Sequence, residues 1–293
     1  MQTTTAGRVP APIVDTHAHV FDRRLPLAPA RRYAPDYDAP LETYLHHLDT
    51  HGIGAGVLVQ PSFLGSDNRF LVDAIQRDPA RLRGVAVVSP EVADDELESL
   101  NSRGVTGLRL NLVGHPAPDL GAARWISLWP RLAKLGWHVE LHREAKDLAS
   151  LLRQLLEYGL RVVVDHFGRP DPALGVDDPG FRALLAMADS RKVWVKVSAA
   201  YRCADPGTRF MRDATEAVLA HFGSGRVMWG SDWPHTQFEQ QVDYRSALAA
   251  LRGLDLAPAL LDDILRSTPA AFYGFKGLPL ETSAPRGQSA RTH

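Results

Sequence analysis

The segment Val14-Asp15-Thr16-His17-Ala18-His19 places two histidines at i and i+2 directly after a short apolar run. On a strand, residues two apart point to the same face, so the two imidazoles can converge on one point. Imidazole is a ligand for zinc, iron, copper and nickel. The same spacing also describes two ordinary histidines on a half-buried strand, so the reading depends on partners elsewhere. Three more apolar runs end in suitable groups: one in His142, one in Asp165-His166 and one in Ser231-Asp232. A carboxylate beside several imidazoles can hold a metal or take a proton from water. Scattering the chain's 12 histidines at random does not readily put His17, His19, His142 and His166 all at such ends.

These groups need a scaffold that gathers strand ends. Short β-rich runs at 13–17, 56–60, 84–88, 107–111, 138–142, 161–165, 193–198 and 227–231 alternate with helical periodicity at 41–50, 68–77, 94–103, 125–135, 147–158, 181–188, 208–222 and 241–251. That alternation predicts a parallel sheet with crossover helices. The strand count is that of a (β/α)8 TIM barrel, an α/β fold whose functional groups sit at the C-terminal ends of its strands. Gly52, Gly136, Gly159 and Gly223 follow helical segments, as a left-handed C-terminal cap requires. No linker divides the chain, so one distorted barrel is expected over 13–280, with disordered segments at 1–12 and 281–293. The proline-rich stretch 21–40 is expected to form a long loop on the active face.

Composition excludes several classes of partner. Basic residues number 33 against 34 acidic ones, a net charge of −1 that gives no electrostatic case for nucleic acid or an anionic membrane. A small-molecule substrate is the expected partner, and homo-oligomerisation stays open. The one cysteine, Cys203, rules out an internal disulfide framework and any cysteine-rich zinc module. Neither an export signal nor a membrane span is read, which makes the cytoplasm the expected compartment.

The runs Asp15-Thr16-His17-Ala18-His19, Val164-Asp165-His166-Phe167-Gly168-Arg169-Pro170 and Trp229-Gly230-Ser231-Asp232-Trp233-Pro234-His235, with Gly107-Leu108-Arg109 and Lys196-Val197-Ser198-Ala199-Ala200-Tyr201-Arg202, carry a family likeness. The chain resembles the amidohydrolase (metal-dependent hydrolase) superfamily, amidohydrolase-related family 2, and within it the 2-pyrone-4,6-dicarboxylate lactonase group. The likeness spans about residues 15–273. It implies that His17, His19, His166 and Asp232 polarise a lactone carbonyl and activate water, that Arg109 and Arg202 grip substrate carboxylates, and that Ser62 contributes a hydroxyl. Guanidinium forks suit carboxylates, although a structural ion pair is the other reading of each arginine.

Two departures bear on chemistry. The resemblance implies tyrosine at the fifth-strand end and hydrolysis without bound metal, whereas this chain has His142. A mononuclear site of His17, His19, His142 and Asp232 then becomes an expectation, with zinc or manganese as the ion and His166 polarising the substrate. A further arginine implied after the fourth strand is replaced by Val113-Gly114-His115, which removes or weakens one carboxylate clamp. His235, Tyr33 and Arg32 are candidates to touch substrate, and Glu140 is a candidate to orient a ligand or to pair with Lys196 or Arg109. The expected activity is hydrolytic opening of a lactone ring, with Asp232 as both base and acid. A metal-dependent decarboxylase, a lactone isomerase and a non-catalytic ligand-binding barrel are the rival readings.

Overall fold

The computed structural model describes residues 11–29, 31–204 and 209–276. Strands β1 (Val14–Ala18), β2 (Ala55–Val59), β3 (Leu82–Ala86), β4 (Val105–Asn111), β5 (His138–His142), β6 (Val162–Val164), β7 (Val193–Lys196) and β8 (Val227–Met228) pair in sequence order, all parallel. The ring closes between the segment after β8 and β1. Thr16 donates to the Trp229 carbonyl from both N (3.1 Å) and Oγ1 (2.8 Å), and Asp232 N donates to the His17 carbonyl at 2.8 Å. The chain is thus a (β/α)8 barrel. Every residue of β1, β2, β5, β6 and β8 is buried. Helices cover the outside and side chains fill the inside, so such strands read as continuous apolar runs broken only by polar groups placed inward.

The crossovers carry α1 (Leu41–Thr50), α2 (Arg69–Arg77), α3 (Asp94–Ser102), α4 (Ala123–Ile126), α5 (Trp129–Leu135), α6 (Ala145–Glu157), α7 (Pro179–Ala186), α8 (Phe210–Phe222) and α9 (Tyr244–Arg252), followed by α10 (Pro258–Asp262) and α11 (Thr268–Tyr273). Gly136 ends α5 at φ 72°, a left-handed conformation that costs glycine little. The single helix expected over 125–135 is two, broken before Trp129; Pro130, which has no N–H to give, occupies the first turn of α5. The sequence reading also passed over α10 and α11, whose first turns hold Pro258 and Pro269. Proline suits a first helical turn and there imitates a loop signal.

Helix α11 and the residue Phe275 beyond it close the bottom of the barrel. Ala270, Tyr273 and Phe275 pack with Val14, Val57, Val85, Val163 and Met228 in an apolar layer. The barrel interior above it is polar, and the register Gly107–His138, Arg109–Glu140, Asn111–His142 between β4 and β5 carries the side chains upward in steps of two. Asp15 clamps the seam. Its buried carboxylate accepts from Ser231 N (2.8 Å), Ser231 Oγ (2.7 Å), Tyr244 OH (3.0 Å) and Tyr44 OH (3.2 Å), tying β1 to the β8 loop and to α1 and α9. The tail expected from 281 and most of the N-terminal segment lie outside the described residues. Among the described residues no helix is long and apolar enough to cross a membrane.

Candidate active site

His17, on β1, and His19, just beyond it, bring their Nε2 atoms to 3.3 Å. His19 Nδ1–H donates to the Val59 carbonyl at 2.7 Å, which leaves its Nε2 bare. Asp232 Oδ1 lies 3.8 Å from His17 Nε2, 3.9 Å from His19 Nε2 and 3.6 Å from His166 Nε2. Its other oxygen, Oδ2, accepts from Tyr201 OH at 2.5 Å and Arg202 Nε at 2.7 Å. One carboxylate oxygen is therefore anchored and the other faces three imidazoles. The backbone bends sharply to achieve this: His166 (φ 50°) and Asp232 (φ 61°) both occupy the left-handed region. Such strain gathers at functional sites. Gly230 lets the eighth strand's loop approach β1, since a Cβ there would lie 2.6 Å from His17 Cβ and 2.8 Å from His17 N.

Beneath this cluster runs a buried charge network. Lys196 Nζ donates to Glu140 Oε2 (2.5 Å) and to His17 Nδ1 (3.1 Å), and lies 3.4 Å from Asp165 Oδ1. Arg109 NH2 is 3.7 Å from Asp165 Oδ2. Two cations thus face two carboxylates among buried side chains, as buried charges require. Burial and the adjacent Asp165 push Glu140 above the ordinary carboxylate range, against the pull of Lys196. Burial acts the same way on Asp165, but Lys196, His166 and Arg109 outweigh it and hold Asp165 below that range. Lysine has no acceptor, so its bond to Nδ1 leaves the His17 proton on Nε2, directed to the bare Nε2 of His19. The alternative tautomer places the Nδ1 proton toward Asp165 Oδ1, 3.2 Å away, and frees Nε2.

Burial dominates the titration of the site. It would raise Asp232, but the Arg202 charge and the neighbouring imidazoles hold that carboxylate well below its ordinary range. Burial lowers the imidazoles: His19 and His235 titrate near about 4 and His138 near about 3, against an ordinary 6.5. Between those values and 6.5 the unfolded chain binds protons that the folded chain does not. Stability is therefore complete above about 6.5 and falls as the pH drops toward 4, by about 1.4 kcal/mol per pH unit for each such group. The urea midpoint is expected to decline from pH 7 to pH 5, and to decline less steeply in His138→Gln; equal slopes would contradict this assignment.

His19, His166 and Asp232 form the floor of a cavity of about 230 Å³ at the barrel mouth, while His17 is fully buried and does not line it. His19, His142, His166, Asp232, Arg109, Arg202, Ser62 and Tyr33 all line the cavity. His235 does not. It is 2% exposed and lies behind Tyr201, whose hydroxyl is 3.2 Å from its Nδ1. The expected four-ligand set also differs in its members' placement. His17, His19 and Asp232 present donor atoms within 4.8 Å of one another, whereas His142 joins no such group among the described residues. Its ring stands edge-on to His166 at 4.9 Å, and both of its nitrogens are buried without partners. His166 takes the place beside Asp232 because the turn after β6 swings it inward.

Arg109 and Arg202 were expected to grip substrate. Both reach the cavity wall, but Arg202 is first of all the anchor of Asp232, with NH2 donating to the Thr236 carbonyl at 3.0 Å. Two guanidiniums join them: Arg32 from the long loop after β1 and Arg169 from the turn after β6. Guanidinium charge thus reaches the cavity from these two loops as well. No role was read for Arg169 or Tyr201 from sequence, although both lie inside the motif runs. Cys203 is buried, its thiol pushed up to about 12, and its Sγ donates to the His166 carbonyl.

This geometry, eight strand ends converging on imidazoles and one carboxylate, is a hydrolase-type barrel site. The chain belongs to the amidohydrolase family, whose pattern it matches over residues 14–275. It is 36% identical over 249 residues to a 2-pyrone-4,6-dicarboxylate hydrolase of Comamonas testosteroni, covering 80% of this chain and 81% of that one. It is 32% identical over 275 residues to a 4-sulfomuconolactone hydrolase of Rhizobium radiobacter, covering 91% of each. A crystal structure of a candidate 2-pyrone-4,6-dicarboxylic acid hydrolase from Acinetobacter baumannii, with citric acid bound, superposes with a TM-score of 0.88 at 39% identity, covering 90% of this chain and 100% of that one.

Proposed function

We propose that this protein hydrolyses an anionic lactone, opening its ring by attack of water that Asp232 deprotonates. The observation that carries this is the division of labour at Asp232: Oδ2 is fixed by Arg202 and Tyr201 while Oδ1 faces His17, His19 and His166 under a cavity rich in guanidinium. Arg32, Arg109, Arg169 and Arg202 surround that cavity, and Asp232 is the only carboxylate among its described lining residues. Such a field selects an anionic substrate. The named lactone substrates of both relatives are anionic, and the citric acid in the Acinetobacter structure supports the same reading.

The residues divide the reaction as follows. Arginines position the substrate so that its ring carbonyl lies over the imidazoles. His166, fixed by Ser198 Oγ at 2.9 Å from its Nδ1, directs Nε2 toward the site and stabilises the oxyanion. Asp232 Oδ1 accepts the proton of the attacking water and returns it to the leaving oxygen. A carboxylate held at low pKa gives that proton up readily. The donors His17, His19 and Asp232 fit a divalent ion in the tautomer that puts the His17 proton on Nδ1 toward Asp165, since burial keeps the imidazoles neutral and His19 Nε2 is bare. A zinc or manganese ion held there would supply Lewis-acid polarisation of the carbonyl and acidify water.

The test is product stoichiometry at constant pH. One proton released per ring opened, without carbon dioxide, is expected. Carbon dioxide would point to a decarboxylase, and turnover without net proton release to an isomerase.

A further inference from the structure

The fold buries His235 at 2% exposure behind the tyrosine that anchors Asp232, and no step of the proposed hydrolysis uses it. Its backbone is pinned on both sides. The His235 N–H donates to the Asp232 carbonyl at 2.7 Å, and the His235 carbonyl accepts from Phe238 N at 2.6 Å. This delivers the ring to Tyr201, whose oxygen lies 3.2 Å from His235 Nδ1 and 2.5 Å from Asp232 Oδ2. The hydroxyl has one proton for two neighbours. An ionised carboxylate has only acceptor oxygens, so the tyrosine proton goes to Oδ2 at the shorter distance. The phenol oxygen then has only lone pairs to offer His235. A nitrogen at 3.2 Å is its hydrogen-bond partner only when that nitrogen carries a proton. The other nitrogen, Nε2, is buried and has no partner among the described residues, so a proton there would go unused.

We infer that His235 is a positioning residue: its Nδ1–H holds the Tyr201 proton on Asp232 Oδ2 and thereby keeps Oδ1 as the oxygen that exchanges a proton with water. This rests on the reading of Asp232 as the base. With Nδ1 bare, Tyr201 could turn its proton to the imidazole, and two oxygens 2.5 Å apart would face each other lone pair to lone pair. Oδ2 would keep only Arg202 Nε at 2.7 Å and could take a proton itself, on the oxygen turned away from the imidazoles. With the tyrosine proton fixed, Oδ2 is filled by two donors. The proton's place is then Oδ1, which faces His17, His19 and His166. Phe238 supports both anchors from the cavity wall, its ring 5.0 Å from that of Tyr201 and 5.0 Å from the Arg202 guanidinium carbon.

Nitrogen-15 NMR of the histidine-labelled protein tests the tautomer without turnover. The resonances that vanish in His235→Asn identify the residue, and its Nδ1 is expected to carry a proton at neutral pH; a bare Nδ1 overturns the inference. Kinetics test the role. His235→Leu removes the donor and is expected to lower kcat about tenfold, the worth of one hydrogen bond, with KM within about twofold. His235→Asn puts an amide nitrogen where Nδ1 stood and is expected to bring kcat back to within about threefold of wild type. Equal losses in the two variants would reduce His235 to packing and overturn the inference, as would an unchanged kcat in His235→Leu. In a Tyr201→Phe background His235→Leu is expected to cost nothing further, because its effect runs through the hydroxyl; additive losses overturn this. Should His235→Leu not fold, the wild-type spectrum decides. If wild type opens no lactone while Nδ1 is protonated, the lactone reading fails and the positioning of Tyr201 stands.

Discussion

Asp232→Asn is expected to lower kcat by about 10³-fold, within the usual contribution of a positioned general acid–base, while substrate affinity stays within about threefold. Asparagine keeps an oxygen to accept from Arg202 and Tyr201, so the backbone and the anchoring contacts survive. What disappears is the oxygen facing the three imidazoles, and with it both the removal of the water's proton and its delivery to the leaving oxygen. Single-turnover rates and calorimetric binding to the same variant separate these effects. An unchanged rate would show that another group activates the water. Loss of binding with normal single-turnover chemistry would make Asp232 a binding residue.

The second large effect concerns stability. Lys196→Met is expected to cost about 3–5 kcal/mol, because it leaves Glu140 and Asp165 buried with only Arg109 as a counter-charge. The deficit should depend on pH. In the variant Glu140 binds its proton more tightly when folded than when unfolded, and a group raised in this way contributes stability below its unfolded value and loses it as pH rises. Glu140 is already raised in the wild type, to about 7, so the two chains lose this contribution together below that pH and the deficit grows only above it. Glu140→Gln added to Lys196→Met should recover most of the loss, since the remaining charges then balance. Urea midpoints of the single and double variants check this, and additive losses would contradict the network.

Much of this architecture was legible in the sequence because a barrel strand must be buried on both faces. The apolar runs therefore read as strands, with His17 and His142 at their ends and His166 and Asp232 just beyond them. Alternation along His138-Val139-Glu140-Leu141-His142 likewise placed Glu140 inside, where it pairs with Lys196. The misplacements begin where the strand stops. β6 ends at Val164, and the residues that follow run His166, Phe167 and Arg169 through positive φ, a path that sequence periodicity does not encode. That path brings His166 rather than His142 against Asp232 and carries Arg169 to the cavity. His235 sits behind Tyr201 for a similar reason, at φ 62° in the loop after β8. Asp15 was visible in the first motif, but its work depends on Ser231, Tyr44 and Tyr244, which only the closed ring assembles. The motif runs did contain Tyr201 and Arg169; a tyrosine and an arginine beside a strand end were the available signal.

In the proposed reaction, water activated at Asp232 is added across a lactone ester bond. Turnover in oxygen-18 water tests it most directly, with mass spectrometry of the product and of the substrate left after partial conversion. One labelled oxygen is expected in the new carboxylate of every product molecule formed by wild type, and Asp232→Asn is expected to form no labelled product at a significant rate. Product that forms without label would contradict it, since isomerisation moves the ester bond without adding water and decarboxylation leaves the ring closed.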